Sequence, residues 1–387
     1  MRVAYLIFIL KFLILSHSFC AGKIRRTTMV DGKLREYFLH IPTGFNNNSS
    51  IPLVFMLHGT GGDGERMYDE SGWAELAEKE KFIAVFPSSL KYNIIDHDGN
   101  KSTTKWNITP DSEFTFQPGE KGFDDIKFLR KVIDEIKSSL NIDEKRIYLN
   151  GFSNGGAMAA RCAVEMSDLL AAVCSNASSF ILDTTYIPKR KLPYLYQVGN
   201  RDYGPGNVGP EFPEAPMKYF DSLISTPNLP YLQGKHYKIA NNVIRNFGLK
   251  SEHTAIAGDT NVAVFTTYFP RDPKENHEFR YVFVKDLGHL YPNWAPTRHW
   301  EWMKNFKLEN SISSSMDDLN QTKTNFFYPN PTQSMILFNE ERRYKIMDCN
   351  GKLVKEGVGY EVELNDLRNG VYFVNSGLNT GKLIVLR

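Results

Sequence analysis

The stretch GFSNG, residues 151–155, decides how this chain folds. It lies between an apolar run, residues 146–149 (RIYL), and a helix-forming run, residues 157–161 (AMAAR), so the order along the chain is strand, sharp turn, helix. Glycines on either side of Ser153 allow the backbone to bend tightly and to lift the serine clear of its neighbours. The motif alone is short and occurs by chance, but its placement indicates an α/β fold with a nucleophilic serine at the turn.

Strand-like and helix-like runs alternate on both sides of this turn. Residues 53–57 (LVFML) are continuously apolar, as in a strand buried on both faces. From Asp124 onward, apolar residues recur at helical spacing. Further strands are predicted near residues 34–41, 82–86, 171–174, 194–198, 261–269 and 280–285, and further helices near residues 73–77, 236–247 and 300–303. This alternation predicts an α/β domain over residues 23–307, with a mostly parallel sheet and helices on both faces.

Composition limits the kind of protein that the chain can be. Its 387 residues are 42% hydrophobic, which is enough for a packed core. The formal net charge of +2 argues against an extended nucleic-acid surface. The sequence has no C-x-x-C pair and no histidine cluster, so neither a metal nor another cofactor is expected. Cys162 and Cys174 fall on a predicted helix and strand of one unit, which fits either a disulfide or two buried thiols.

Residues 1–21 have the features of a secretory signal peptide. Arg2 supplies a positive start, an apolar stretch follows, and cleavage is predicted near Cys20 or Ala21. A lipid-modified Cys20 is the alternative, for which Phe19 is bulky. Lys11 interrupts the apolar stretch, which disfavours a permanent membrane span, and no other segment has ~18 uninterrupted apolar residues. We therefore expect a secreted protein without a stable membrane span.

The C-terminal part of the chain has a different character. Serine, asparagine, aspartate and threonine dominate residues 308–325, as in a linker. Residues 326–387 contain short strand-like runs, separated by turn signals such as Asn350-Gly351 and Asn369-Gly370. The pattern predicts a small all-β domain, compatible with a sandwich.

A serine hydroxyl needs a base to remove its proton, and the base needs an acid to orient it. In a hydrolase of this topology the chain order is serine, acid, histidine, each after a successive strand. Asp202 and His289 each follow a predicted strand, so they should meet Ser153 at the carboxyl edge of the sheet. Asp286 and Asp259 are competing candidates for the acid, and Asp286 is more typical of a turn residue.

Two backbone donors are needed for the negative charge of a tetrahedral intermediate. The N–H of Asn154, directly after the serine, is the predicted first donor. The glycine-rich loop at residues 58–62 (HGTGG) follows the buried strand, and the Thr60 N–H is the predicted second donor. A plain strand-ending turn is the alternative for this loop, and His58 is predicted to be structural rather than a second base.

With both glycine-containing motifs in place, residues 34–306 resemble the extracellular esterases of the alpha/beta-hydrolase superfamily called polyhydroxybutyrate depolymerase-like. That group overlaps the feruloyl and acetylxylan esterases of carbohydrate esterase family 1. The resemblance is carried by residues 53–62 (LVFMLHGTGG), 71–88 (SGWAELAEKEKFIAVFPS), 122–136 (GFDDIKFLRKVIDEI), 146–163 (RIYLNGFSNGGAMAARCA) and by Gly288-His289 with Pro292 after it. It implies that Ser153 is the nucleophile, Asp202 the acid and His289 the base, with Thr60 and Asn154 as the oxyanion hole.

The same resemblance suggests two substrate-binding residues. Trp106 and Asn107 match a Trp-Asn pair of these esterases, which makes Trp106 a candidate pocket wall, with a core tryptophan as the alternative. Tyr291 stands two residues past the base, where the family frequently has tryptophan. Thr60 stands where the family often has cysteine, and residues 204–232 look longer than usual. These departures leave hydrolysis intact and leave the substrate open.

The tail resembles a second family, the C-terminal sorting domain of the type IX secretion system of Bacteroidetes. The resemblance is carried by residues 328–331 (YPNP), 346–352 (IMDCNGK) and 367–372 (LRNGVY). It implies that the tail interacts with the type IX secretion machinery, carries a secreted enzyme across the outer membrane and is often removed.

Together these observations predict a secreted serine esterase that acts through an acyl-enzyme on feruloyl or acetyl esters of plant polysaccharide. A polyester depolymerase of the polyhydroxybutyrate type is the second candidate, and a peptidase with the same three residues is the third. A non-catalytic secreted binding protein on a hydrolase scaffold is the alternative from another class. Against it stands the complete set Ser153, Asp202 and His289, which a binding protein does not need.

Overall fold

The computed structural model of the chain describes residues 22–96, 99–108, 114–178, 188–202, 216–229, 231–256, 263–308, 327–328, 335–348, 352–376 and 379–385. The predicted signal peptide and almost all of the predicted linker lie outside these residues. The chain divides into two units, Met1–Asn310 and Ser311–Arg387. The domain boundaries drawn from the sequence stay predictions.

The first unit contains strands that alternate with helices. The strands are β1 (Gly22–Val30), β2 (Lys33–Ile41), β3 (Ile51–Leu57), β4 (Ile83–Pro87), β5 (Leu90–Asp96), β6 (Gly99–Lys105), β7 (Thr115–Phe116), β8 (Ile142–Phe152), β9 (Ala172–Asn176), β10 (Tyr194–Gly199), β11 (Leu249–Ile256), β12 (Ala263–Pro270) and β13 (Phe279–Val284). The helices are α1 (Gly64–Glu70), α2 (Trp73–Glu80), α3 (Asp125–Ser139), α4 (Asn154–Glu165), α5 (Pro216–Ser225), α6 (Tyr231–Asn246) and α7 (Ala295–Met303). None of the described helices has the length and apolarity that crossing a membrane requires.

Ten strands form one large sheet in the order β1-β2-β4-β3-β8-β9-β10-β13-β12-β11. The six strands from β4 to β13 in this order run parallel to their neighbours. The two strands at each end pair antiparallel. The predicted α/β sheet is therefore confirmed in its parallel centre, and antiparallel pairs extend it at both edges.

Strand β3 shows why the central strands are apolar throughout. Successive side chains of a strand point to opposite faces. Leu53, Phe55 and Leu57 accordingly pack into one core together with residues of α3, α4, α5 and α6. Val54 and Met56 pack into a second core with residues of α1, α2 and α7. Helices therefore cover both faces of the sheet, as the sequence predicts.

A three-stranded sheet, in the order β6-β5-β7, lies between β4 and α3 in the chain and was not predicted. Strands β5 and β6 pair antiparallel from Leu90 with Lys105 to Asp96 with Gly99. Tyr92 and Ile94 of β5 enter the first core, whereas β6 carries mostly polar residues. This sheet leads the chain back toward the loop that follows β3.

The second unit is all-β, as predicted. Its described strands are β14 (Phe327–Tyr328), β15 (Met335–Met347), β16 (Leu353–Glu363), β17 (Gly370–Ser376) and β18 (Asn379–Val385). They form one five-stranded sheet in which every described pair is antiparallel. Ile336, Ile346, Val374 and Leu383 are fully buried in its core.

Candidate active site

Ser153 is the single residue between the end of β8 and the start of α4. Its backbone angles, φ 56° and ψ −124°, lie where residues with a side chain are rarely found. Its N–H donates to the carbonyl of Asn176 at 2.9 Å, and its carbonyl accepts from the N–H of Ala157 at 3.0 Å. The strained turn is thus held from both sides, which keeps the serine at the apex.

The two glycines of the motif are required by close packing. A Cβ on Gly151 would lie 2.1 Å from the carbonyl oxygen of Gly155, and a Cβ on Gly155 would lie 2.3 Å from the carbonyl oxygen of His58. Any side chain at either position would force the strand, the helix or the loop after β3 to move apart. The glycines therefore fix the turn, as the sequence motif indicates.

The structure brings Ser153, Asp202 and His289 together at the carboxyl edge of the parallel strands. His289 Nε2 lies 2.9 Å from Ser153 Oγ, and His289 Nδ1 lies 2.9 Å from Asp202 Oδ1. Both distances are those of hydrogen bonds. The side chains of His289 and Asp202 are 15% and 5% exposed. The arrangement allows the imidazole to take the serine proton while the carboxylate orients it.

Of the two competing acids, the structure describes Asp286 and places it in a turn. Asp286 has φ 60°, as in a turn, and its N–H donates to the side-chain oxygen of Asn200 at 2.6 Å. Its carboxylate forms an ion pair with Arg201 at 3.0 Å. Asp286 is thus the turn residue that the sequence favours, and Asp202 is the acid in contact with His289. Asp259 lies outside the described residues.

The loop after β3 lies directly against the serine. A Cβ on Gly59 would be 3.1 Å from Cβ of Ser153, so the loop backbone reaches the nucleophile. Thr60 follows as an exposed residue. Asn154 is the first residue of α4, where backbone N–H groups have no partner within the helix. The two predicted oxyanion donors thus belong to two segments that meet at Ser153.

Trp106 is a core residue and not a wall of the pocket. Its side chain is fully buried, at 0% exposed, so the pocket-wall interpretation is wrong and the core alternative holds. Its Nε1 donates to the carbonyl of His58 at 2.9 Å, and its backbone N–H donates to Asn154 Oδ1 at 2.6 Å. The sequence missed this role because nothing local to Trp106 shows which carbonyl its indole reaches.

His58 is structural, as predicted. The N–H of Ser89 donates to His58 Nε2 at 2.9 Å, which leaves the proton on Nδ1, and Nδ1 donates to the carbonyl of Gly59 at 2.7 Å. Burial lowers the pKa of His58 to about 4. A neutral imidazole with both nitrogens engaged shapes the loop and is unsuited to act as a second base.

Tyr291 supports the loop that carries the histidine. Its hydroxyl accepts from Trp73 Nε1 at 2.9 Å, and burial raises the pKa of Tyr291 well above its usual value. Its ring packs edge-on against Phe152, whose own ring lies 5.2 Å from that of His289. The polar end of Tyr291 is therefore engaged inside the protein, and contact with a substrate stays a prediction.

A buried layer of polar side chains behind the serine was missed by the sequence analysis. Asn150 Nδ2 donates to His299 Nδ1 at 2.9 Å, and His299 Nε2 bonds Gln197 Oε1 at 3.2 Å. Asn176 Nδ2 donates to Asn150 Oδ1 at 2.8 Å and to the carbonyl of Gly151 at 2.9 Å. Burial lowers the pKa of His299 to about 3. Polar residues inside buried strands are the signal that could have revealed this layer.

Cys162 and Cys174 are both buried free thiols, which decides between the two readings of the sequence. Burial raises the pKa of both. Within the described ranges, no three His, Cys, Asp or Glu side chains are grouped closely enough to hold a metal ion.

Two family models match the chain. Residues 46–202 match the phospholipase/carboxylesterase family, and residues 326–385 match the secretion system C-terminal sorting domain. The first match contains the turn at Ser153 and ends at Asp202. The second covers the all-β tail.

Curated relatives, among them the following three, match part of the chain at low identity. A bifunctional acetylxylan esterase/xylanase of Neocallimastix patriciarum is 27% identical over 44% of this chain and 22% of its own length. Poly(3-hydroxyalkanoate) depolymerase C of Paucimonas lemoignei is 30% identical over 35% of this chain and 29% of its own length. Feruloyl esterase B of Piromyces equi is 28% identical over 43% of this chain and 29% of its own length. The chain thus spans less than a third of each of these relatives.

Proposed function

We propose that this chain, whose residues 46–202 match the phospholipase/carboxylesterase family, is a secreted serine esterase that acts through an acyl-enzyme. One observation carries the proposal: Asp202, His289 and Ser153 form a continuous series of hydrogen bonds that ends on a serine hydroxyl. A serine held at a strained turn beside a histidine and a carboxylate is the arrangement that acyl transfer requires.

The reaction would proceed in two halves. His289 Nε2 accepts the proton of Ser153 Oγ as the oxygen attacks the ester carbonyl carbon, and Asp202 stabilises the resulting imidazolium. The tetrahedral intermediate collapses, His289 donates its proton to the departing alcohol, and the acyl group remains on Ser153. Water, deprotonated by His289, then attacks the acyl carbon, the bond to Ser153 Oγ breaks, and His289 returns the proton to Ser153 Oγ as the carboxylic acid leaves.

The backbone N–H groups of Thr60 and Asn154 would bind the oxyanion. Support comes from the contact between Gly59 and Ser153, which brings the loop to the nucleophile. The N-terminus of α4 adds a favourable dipole at the same point.

Feruloyl or acetyl esters of plant polysaccharide are the substrates that we propose first. The support is the likeness to an acetylxylan esterase/xylanase and to a feruloyl esterase. A polyester is the second candidate, supported by the likeness to a poly(3-hydroxyalkanoate) depolymerase. Turnover of methyl ferulate, acetylated xylan and short polyhydroxybutyrate by the purified protein would rank the three.

We propose that the protein leaves the cell through the type IX secretion machinery. The matched sorting domain at residues 326–385 supports this route, and the predicted signal peptide at residues 1–21 would serve the first membrane. The expected location is extracellular or at the cell surface. Deleting residues 326–387 should retain the protein inside the cell envelope, as cell fractionation would report.

Hydrolysis of p-nitrophenyl acetate tests the activity, with Ser153→Ala and Ser138→Ala as a matched pair. Ser138 is an exposed serine on α3, so its variant should retain the wild-type rate. Ser153→Ala should lower kcat by at least about 10³-fold with an unchanged circular dichroism spectrum. Absence of turnover by the folded wild-type protein would contradict the proposal and favour a non-catalytic binding protein.

A further inference from the structure

Residues 104–107, which comprise the last two residues of β6 and the two that follow it, connect the two segments that supply the proposed oxyanion donors. We call these four residues the brace. One end of the brace contacts the loop after β3, because the Gly61 N–H donates to the Thr104 carbonyl at 2.9 Å. The Thr104 hydroxyl donates to the Gly62 carbonyl at 2.6 Å. The far side of the loop is therefore fixed by two hydrogen bonds from one residue.

Trp106 fixes the near side of the same loop. Its indole Nε1 donates to the His58 carbonyl at 2.9 Å, and its ring lies 5.1 Å from the His58 ring. The Gly59–Thr60 peptide, which carries the Thr60 N–H, thus lies between a fixed carbonyl at His58 and a fixed N–H at Gly61. The direction of the Thr60 N–H depends on both anchors.

Trp106 also holds the residue that carries the other donor. The backbone N–H of Trp106 donates to Asn154 Oδ1 at 2.6 Å, and Asn154 Nδ2 donates to the Trp106 carbonyl at 3.4 Å. These two bonds fix the side chain of Asn154, whose backbone N–H points from the start of α4. One tryptophan therefore contacts both halves of the oxyanion hole.

The brace is itself anchored to the rigid part of the domain. The N–H of Asn107 donates to Asp125 Oδ2 at 2.7 Å, and Arg161 donates to the Asn107 carbonyl at 2.7 Å. Asp125 forms an ion pair with Arg35 at 2.7 Å, and both side chains are at most 1% exposed. The brace is thus tied by hydrogen bonds to α3 and α4.

We infer that Trp106 is a positioning residue for the proposed ester hydrolysis: through its indole N–H and its backbone it sets the direction of both oxyanion donors. This inference rests on the proposed function. Misplacing a donor by a fraction of an ångström weakens the binding of the transition state more than that of the ester. A defect in Trp106 therefore falls on kcat and leaves KM nearly unchanged.

The test compares Trp106→Phe with Trp302→Phe. Trp302 is a matched control because its indole is also buried, at 5% exposed, and also donates one hydrogen bond, to Glu278 Oε1 at 2.7 Å. Each substitution keeps an aromatic ring and removes one indole donor. Trp106→Phe should lower kcat about 10- to 100-fold with KM within about 2-fold of wild type, while Trp302→Phe should keep both constants.

A phenylboronic acid inhibitor supplies a readout that a purely structural role would not change. Ser153 Oγ adds to boron as its proton passes to His289 Nε2, and the tetrahedral boronate places an oxygen in the oxyanion hole. Its affinity should fall in Trp106→Phe by the same factor as kcat, whereas the affinity for the carboxylic acid product should not change. Equal boronate affinity in the two tryptophan variants, at equal kcat per folded enzyme, would overturn the inference.

A second variant covers the case in which Trp106→Phe does not fold. Thr104→Val keeps the shape of a partly exposed residue and removes only the hydroxyl bond to the Gly62 carbonyl. A decrease of kcat and boronate affinity by a common factor of about 2 to 10 supports the brace, and unchanged values overturn it. Hydrolysis by the wild-type protein tests the proposed function alone. A failure of the proposed function is therefore distinguishable from a failure of the inference about Trp106.

Discussion

His289 and His299 lie ten residues apart in the chain but in opposite surroundings. His289 is at the carboxyl edge of the sheet, 15% exposed, between a hydroxyl and a carboxylate. His299 is in the polar layer behind it, 1% exposed, between two uncharged amides. A neighbouring carboxylate and access to solvent suit an imidazole to exchange protons, whereas burial among amides keeps it neutral. The surroundings of a histidine thus decide whether it serves chemistry or structure.

The largest effect on kcat is expected when the imidazole of His289 is removed. His289→Ala should lower kcat for p-nitrophenyl acetate by about 10⁴- to 10⁶-fold, because Ser153 loses its base. The melting temperature should change little, since the side chain is partly exposed. A variant with more than a tenth of the wild-type kcat would contradict the role of His289.

The next largest effect on kcat is expected at Asp202, whose carboxylate contacts His289. Asp202→Asn keeps the shape of the side chain and removes its charge, so the imidazole loses its orientation and the stabilisation of its charged form. We expect kcat to fall on the order of 10³- to 10⁴-fold in steady-state assays. Retention of activity would show that another acid, such as Asp259, orients the base.

Removing His299 should lower the stability of the fold and have a smaller effect on kcat. His299→Leu leaves the amides of Asn150 and Gln197 without their buried partner, at a cost of about 1–3 kcal/mol for each. Urea denaturation should show a free energy of unfolding lower by about 2–6 kcal/mol. The kcat of the folded fraction should stay within about 10-fold of wild type, and a larger loss would mean that the polar layer takes part in catalysis.

The buried histidines also predict how stability changes with pH. Burial lowers the pKa of His299 to about 3 and that of His58 to about 4, whereas an unfolded histidine titrates near ~6.5. The unfolded chain therefore binds more protons between these values. The stabilisation that comes from keeping these two histidines neutral is fully present above about pH 6.5. As the pH falls below this value, the free energy of unfolding decreases by about 1 kcal/mol per pH unit for each histidine.

Denaturation curves at several pH values would measure this slope. His299→Gln should make the slope between about pH 4 and 6 shallower, because one of the neutral histidines is gone. A slope equal to that of the wild-type protein would mean that His299 is already charged in the fold.

The smallest effect is expected at Asp286, which sequence alone could not separate fully from Asp202. Its ion pair with Arg201 is exposed, at 47% for the arginine and 55% for the aspartate, and such pairs contribute about 0–1 kcal/mol. Asp286→Asn should leave kcat within about 2-fold of wild type. A loss comparable to that of Asp202→Asn would reverse the assignment of the acid.

The sequence could predict the elements whose cause is local. The turn at Ser153 needs glycines within two residues of it, and β3 must be apolar on both faces, so both features are visible in short stretches. Asp202 and His289 could be predicted because parallel strands deliver their carboxyl ends to one edge. Short motifs and strand order were therefore enough to predict the candidate site residues Ser153, Asp202 and His289.

The features of the fold and the site that the sequence did not predict depend on contacts between residues that are distant in the chain. Sequence alone leaves Trp106 open between a pocket wall and a core residue, because its bond to the His58 carbonyl spans 48 residues and leaves no local pattern. The layer around His299 joins β8, β9, β10 and α7, and each of its polar residues looks incidental within its own element. The β5–β6 hairpin was missed because β6 is mostly polar and its role is to support a loop.

Covalent labelling of the serine tests the central claim most directly. Paraoxon reacts with an activated serine by transferring its diethylphosphoryl group and releasing p-nitrophenolate. Mass spectrometry of the trypsin-digested protein should find one such group per chain, on Ser153 within residues 147–161, and none after reaction of His289→Ala. Failure to label the folded wild-type protein, or labelling of another residue in place of Ser153, would contradict the account.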